Sequence, residues 1–210
     1  MSRPLDAALA ALLLLVAAPL LALAALAAVL LAITSPLLAL AALAIKLESR
    51  GPVFYRQRRV GLHGEPFELW KLRTMVTGAE AMGAGIYVLE GDPRITRTGR
   101  LLRRFSLDEL PNLVNVMKGD MAMVGPRPTV QEQVDRYTKR QRRRLEVKPG
   151  ITGWAQIKGR TSLPWPERIE LDVWYVEHRS LRLDLRILAR TARMLASGRG
   201  LYSEDLTQGW

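Results

Sequence analysis

Cysteine is absent from the 210-residue chain, which excludes disulfides, thiolate nucleophiles and zinc–thiolate sites. Histidine is scarce. His63 falls in a turn and His178 near a helix end, and neither has neighbours that suggest a metal site, so both read as structural. No Walker A sequence, HExxH or GxSxG occurs, and Gly83-Ala84-Gly85 lacks the GxGxxG spacing of a dinucleotide site. There are no internal repeats. Charge, too, is missing from one long stretch: residues 7–45 carry none at all.

The cations therefore crowd the rest of the chain. Lys and Arg number 31 against 20 Asp and Glu, a net charge of +11. Such a balance calls for an anionic partner: nucleic acid, acidic lipid headgroups or a phosphorylated substrate.

The uncharged stretch is almost entirely Ala, Leu, Val and Ile. It is far longer than the apolar core of a signal peptide, about 7–15 residues. It also exceeds the roughly 20 residues of one simple span. Thr34-Ser35-Pro36 interrupts it, because proline removes a helical hydrogen bond and kinks the helix, while nearby hydroxyls can re-satisfy the freed carbonyls. A tilted span, a two-helix hairpin and a kinked helix that dips in and returns all fit. Arg3 before the stretch and Lys46, Arg50, Arg56, Arg58 and Arg59 after it favour two cytoplasmic ends, hence the hairpin or the re-entrant form.

Beyond it, residues 53–60 and 67–75 alternate as two strands joined by a turn over 61–66, a β-hairpin. Glycine-rich 78–91 reads as a loop. Helices are expected over 98–105, over 106–116 with Pro111 cutting it into turns, over 129–145, over 167–178 and over 181–196. In the 129–145 helix, Arg136, Lys139, Arg140, Arg142, Arg143 and Arg144 crowd one face. In the last helix, Arg182, Arg186, Arg190 and Arg193 form one stripe, with leucines 181, 185, 188 and 195 broadly opposite. A helix lying in a membrane interface gives that pattern, and so does a solvated surface helix.

The chemistry centres on SLDELPNL, residues 106–113, where Asp108 and Glu109 sit among apolar residues. Ser106-x-x-Glu109 fits a capping box, so on these residues alone a helix start outweighs catalysis. Three glycine- and proline-rich stretches shift the balance: DPRITRTGR at 92–100, KGDMAMVGPRP at 118–128 and KPGITGWAQ at 148–156. Each joins rigid or permissive backbone to cations, a combination suited to phosphate oxygens.

With these motifs in order, the chain resembles the bacterial sugar transferase family, the monotopic phosphoglycosyl transferases. KLESRGPVFYRQRRVG, FELWKLRTM, RTGRLLRRFSLDELPNLVNVMKGDMAMVGPRP, VKPGITGWAQIKGR and LDVWYVEHRSLRLDL carry the resemblance, from about residue 30 to 190. It implies transfer of a phospho-sugar from a UDP-sugar to polyprenyl (undecaprenyl) phosphate with release of UMP, the first membrane step of glycoconjugate assembly. Asp108 would be the nucleophile and Glu109 a Mg²⁺ ligand. Arg103 and Arg127 would bind phosphate, and so would Arg73, which sits where the family has a basic residue, lysine in many members, in an FxxxKxxTM-like strand. Ser35-Pro36 would be the break of a re-entrant membrane helix.

The expected fold is α+β: a kinked re-entrant helix over 1–46, then a cytoplasmic-face catalytic domain over 47–210 with a β-hairpin and amphipathic interfacial helices. The expected setting is the bacterial inner membrane, with anionic lipids as a further partner; a homo-oligomer is compatible with the chain. A nucleic-acid binder built on the arginines of 136–144 is the rival reading, without any recognised DNA-binding arrangement. A non-catalytic scaffold is another, against which the intact acids and arginines argue.

Overall fold

A computed structural model of the chain describes residues 3–82, 91–159 and 163–196, with side chains from Ala24 onward. Gly83-Ala84-Gly85 and most of the expected 78–91 loop lie outside the described residues. Helix α1 runs over Arg3–Glu48, and its Ala24–Glu48 part is long and apolar enough to cross a membrane. The expected break at Ser35-Pro36 does not appear as a break in secondary structure, because the helix continues through Pro36. Pro36 leaves the carbonyl four residues earlier without its usual donor. Ser35 Oγ donates to that carbonyl, Ala32 O, at 2.8 Å, and Thr34 Oγ1 donates to Leu30 O at 2.8 Å.

One side of α1 is the spine of the core. Ala27, with Leu30 and Leu31, packs on Leu69, Leu113, Val116 and Met121. Further along, Ala41 and Ile45 pack on Leu72 and Leu102. From Ala27 to Ile45 this contact follows about 27 Å of helix at 1.5 Å per residue. The opposite side presents Leu26, Val29, Ile33, Leu40 and Leu47, all exposed.

The hairpin forms as expected. Strands β1, Phe54–Val60, and β2, Pro66–Leu72, pair antiparallel with Phe54 opposite Leu72 and Val60 opposite Pro66. Alternation sends Tyr55, Gln57 and Arg59 inward with Leu69 and Lys71, while Arg56, Arg58 and Glu68 face out. The second strand is shorter than expected: it ends at Leu72, and Met75 only bridges Ile95. Helix α2, Arg97–Arg104, and helix α3, Asn112–Lys118, flank a 3₁₀ turn over Leu107–Glu109. Buried Asn115 of α3 closes the free edge of β2, accepting from Trp70 N at 3.1 Å and donating to Glu68 O at 2.6 Å. Sheet edges need such cover. Here it also fixes the chain just upstream, Asp108 and Glu109, against the hairpin.

The 129–145 helix is a correction. Only Gln131–Val134 is α-helical (α4), and Gln141–Glu146 is a 3₁₀ turn. Between them, Gln141 Oε1 accepts from Thr138 N at 2.9 Å and Thr138 Oγ1 accepts from Gln141 N at 3.3 Å. That reciprocal cap starts a new turn and stops the old one. Arg144, expected on a solvated face, is buried. Arg140 and Arg143 pair with Glu170, Glu177 and Glu146, so the basic face of the nucleic-acid reading loses three of its six cations.

The last layer holds β3, Ala122–Val124, and β4, Gly150–Thr152, a short parallel pair, followed by α5, Trp154–Lys158, α6, Trp165–His178, and α7, Leu181–Ala196. The core face of α7 is Leu183, Ile187 and Thr191, while Leu181 and Leu185 are exposed beside the arginines. Glycines let backbones touch. A Cβ on Gly99 would lie 2.0 Å from Thr74 O, so α2 rests directly on the chain leaving β2. Gly99→Ala is expected to force the two apart and destabilise the protein by about 1–3 kcal/mol, as overpacking does. A melting curve of the purified protein checks it.

Candidate active site

The turn that presents the two acids begins with strain. Ser106 has φ 55°, one of two non-glycine residues with positive φ among those described; such outliers cluster at functional sites. A capping residue needs extended backbone, so the expected Ser106–Glu109 capping box does not form, and Ser106 makes no side-chain cap bond. The reversal instead buries Asp108 and Glu109, each 4% exposed.

Glu109 is gripped by two cations. Its Oε1 accepts from Lys71 Nζ at 3.0 Å and from Arg127 Nη2 at 3.0 Å. Burial works to raise this carboxyl, but Arg127 and Lys71 outweigh it and hold it below the ordinary value. Asp108 has no such clamp. Burial and the adjacent Glu109 push its carboxyl up to about 6, against the pull of Lys71, Arg103 and Arg127. Its buried Oδ1 has no hydrogen-bond partner, and neither does the buried Asn112 Oδ1. The pair is thus differentiated: Glu109 is an anion held by two cations, and Asp108 is a buried acceptor whose Oδ1 is left open.

Arg103 donates from Nε to Thr74 Oγ1 at 2.9 Å and lies within electrostatic reach of Asp108. Burial pulls it below its usual range. The structure therefore brings Asp108, Glu109, Arg103 and Arg127 together. Arg73 is not with them. Its guanidinium donates to Arg50 O at 2.6 Å, Ser49 O at 2.8 Å and Thr77 Oγ1 at 2.9 Å, clasping the end of α1. The lysine of the FxxxKxxTM-like stretch is Lys71, which holds the position expected of Arg73. Strand alternation from buried Leu69 points to Lys71 directly; it fails for Arg73 because β2 has already ended. Ser35 and Pro36 lie within α1, away from the acids in sequence and outside this constellation.

Several residues at this site were not expected there from the sequence. Lys71 and Arg59 line the same cleft as Glu109, Asn112 and Arg127. Arg144 and Asp172 support Arg127 from behind: Arg144 Nη2 donates to Arg127 O at 2.8 Å and to Asp172 Oδ2 at 2.6 Å. The GPRP loop is laced from its other side by Gly150 N to Pro126 O at 2.9 Å and Gly125 N to Thr152 O at 2.9 Å.

Comparison with known proteins decides the family. The bacterial sugar transferase model matches residues 24–198. The chain belongs to the bacterial sugar transferase family. An uncharacterized sugar transferase of Bacillus subtilis is 48% identical over 161 residues, covering 77% of this chain and 78% of that one. A UDP-glucose:undecaprenyl-phosphate glucose-1-phosphate transferase of Caulobacter vibrioides is 45% identical over 208 residues, 95% of this chain and 71% of that one. An undecaprenyl-phosphate galactose phosphotransferase of Salmonella typhimurium is 39% identical over 166 residues, 72% of this chain but 35% of that one. This sugar transferase thus spans about a third of the Salmonella relative. The Caulobacter and Salmonella names carry different sugars, glucose and galactose, so membership alone does not fix the sugar.

Among the described residues no group of three His, Cys, Asp or Glu gathers to hold a metal. Magnesium does not require one, because it takes one or two carboxylates together with substrate phosphates. The Glu109 carboxylate and the partnerless, buried Asn112 Oδ1 fit that demand.

Proposed function

We propose that the protein transfers a phospho-sugar from a UDP-sugar to polyprenyl (undecaprenyl) phosphate through an aspartyl intermediate. The observation that carries this reading is the asymmetry of the two acids, one clamped by cations and one a buried acceptor without a partner. An Asp108 carboxylate oxygen attacks the β-phosphorus, and the bond from that phosphorus to the bridging oxygen breaks, releasing UMP. A phosphate oxygen of the polyprenyl carrier then attacks the same phosphorus, breaking the acyl-phosphate bond and returning the carboxylate. Splitting the transfer lets two substrates use one site in turn. Arg103 and Arg127 neutralise the phosphates so that an anion can approach. Mg²⁺, held by Glu109 and Asn112, would withdraw charge from the diphosphate.

The setting is a membrane, with the site on the cytoplasmic face. In this reading α1 inserts, bends at Ser35-Pro36 and returns; the Ser35 bond to the freed Ala32 carbonyl and the exposed apolar side of α1 support it. Exposed Leu101 and Phe105 on and beside α2, and Leu181 and Leu185 on α7, all set among arginines, suit anionic lipid headgroups.

The test is a panel of UDP-sugars offered to the purified protein with and without polyprenyl phosphate. UMP release is expected from one or a few of them, with an intact-mass gain of one phospho-sugar when the acceptor is withheld. Release that requires the acceptor, with no adduct under any condition, would sink the two-step mechanism.

A further inference from the structure

Arg59 is a cleft cation that neither grips Glu109 nor has a role in the reaction above. It stands on the inward face of β1, in register opposite Phe67, and lines the cleft with Lys71, Glu109, Asn112 and Arg127. Each of its neighbours is already engaged. Lys71 and Arg127 bind Glu109, and Arg103 binds Thr74. Arg59 instead donates from Nε and Nη2 to a neutral atom, Gln57 Oε1, at 3.1 and 2.5 Å. Among the described residues its Nη1 donates to nothing, and no carboxylate lies within ion-pair distance of it.

A half-buried guanidinium in a cleft beside a second arginine, with no contacting anion, is costly unless a ligand supplies the anion. Burial, with Arg127 adding to it, pulls Arg59 down to about 10, which agrees with that cost. Arg59, Lys71, Arg103 and Arg127 outnumber Asp108 and Glu109 by four to two. The surplus matches a phosphate group. Gln57 fixes the fork from one side and leaves the other edge to the cleft, the geometry by which arginine takes a phosphate oxygen.

We propose that Arg59 is a substrate-phosphate ligand, held by Gln57 to receive an oxygen of the donor diphosphate or of the acceptor monophosphate. The proposal rests on the transferase reading, and the two sources are separated by experiment. Full-length Arg59→Gln and Arg59→Lys are compared with wild type, and Arg58→Gln, on the outer face of the same strand, is the control. Initial rates are taken against each substrate in turn, and inorganic pyrophosphate is titrated calorimetrically as a probe that needs no turnover. Arg59→Gln is expected to raise KM for one substrate about tenfold or more, the scale of a charged hydrogen bond, with kcat within about threefold and partial rescue by Arg59→Lys. A raised donor KM with weakened pyrophosphate binding assigns the diphosphate; a raised acceptor KM with unchanged pyrophosphate binding assigns the monophosphate. Both KM values within twofold of wild type would overturn the proposal, as would a fall in melting temperature alone. If wild type releases UMP from no UDP-sugar, the transferase reading fails by itself, and equal pyrophosphate affinity in wild type and Arg59→Gln then overturns the Arg59 assignment separately.

Discussion

Asp108→Asn is expected to lower turnover by about a thousandfold or more, the scale of removing a nucleophile, and to abolish the phospho-sugar adduct. The substitution keeps the shape of the side chain but removes the oxygen that can bond phosphorus. It should not unfold the protein. Asp108 is a carboxyl that burial pushes up to about 6, so a neutral amide relieves a desolvation cost. Lys71 and Arg127 keep their partner, because both bind Glu109. The expected signature is therefore an unchanged or slightly raised melting temperature with UMP release at background. Intact mass after incubation with the productive UDP-sugar gives the second readout. Wild-type turnover by Asp108→Asn would refute the aspartyl mechanism.

What the sequence made legible follows how local each feature is. The hairpin could be read because period-two alternation and its turn lie within twenty residues, and α7 because an unbroken helical pattern fills it. Asp108 and Glu109 were visible as a motif, yet their division of labour was not. It depends on Lys71 and Arg127, far from them in sequence and brought close by the Asn115 staple and the GPRP loop. The capping box at Ser106 had the correct letters, but a left-handed backbone there cancels it. The same pattern at Thr138 and Gln141 went unread inside a presumed helix and is where a cap forms. Arg73 and Arg144 exchanged expectations for the same reason. A basic residue can face a phosphate, a helix end or a buried acid, and only tertiary contacts choose among them.

Arg144 makes the most severe stability test. Its guanidinium, 2% exposed, is hydrogen-bonded to Asp172 Oδ2, to Arg127 O and to the Tyr137 hydroxyl, and it lies 5.5 Å from the centroids of the Tyr137 and Trp165 rings. Asp172→Ala leaves that charge buried without its anion, a change that costs about 3–5 kcal/mol. In a chain of this size the melting temperature should fall by roughly 6–20 °C. Removing both charges is the informative companion. Arg144→Met with Asp172→Leu fills the space without a buried ion, so much of the lost stability should return. Activity should not return with it. Arg127 O loses its donor, the GPRP loop is released on that side, and the Arg127 side chain that grips Glu109 is no longer aimed. If the double variant regained both melting temperature and turnover, the pair would only be holding the fold together. Recovery of stability without recovery of turnover would show that Arg144 works through Arg127, and that the buried pair persists because a nonpolar replacement can hold the core but cannot hold that carbonyl.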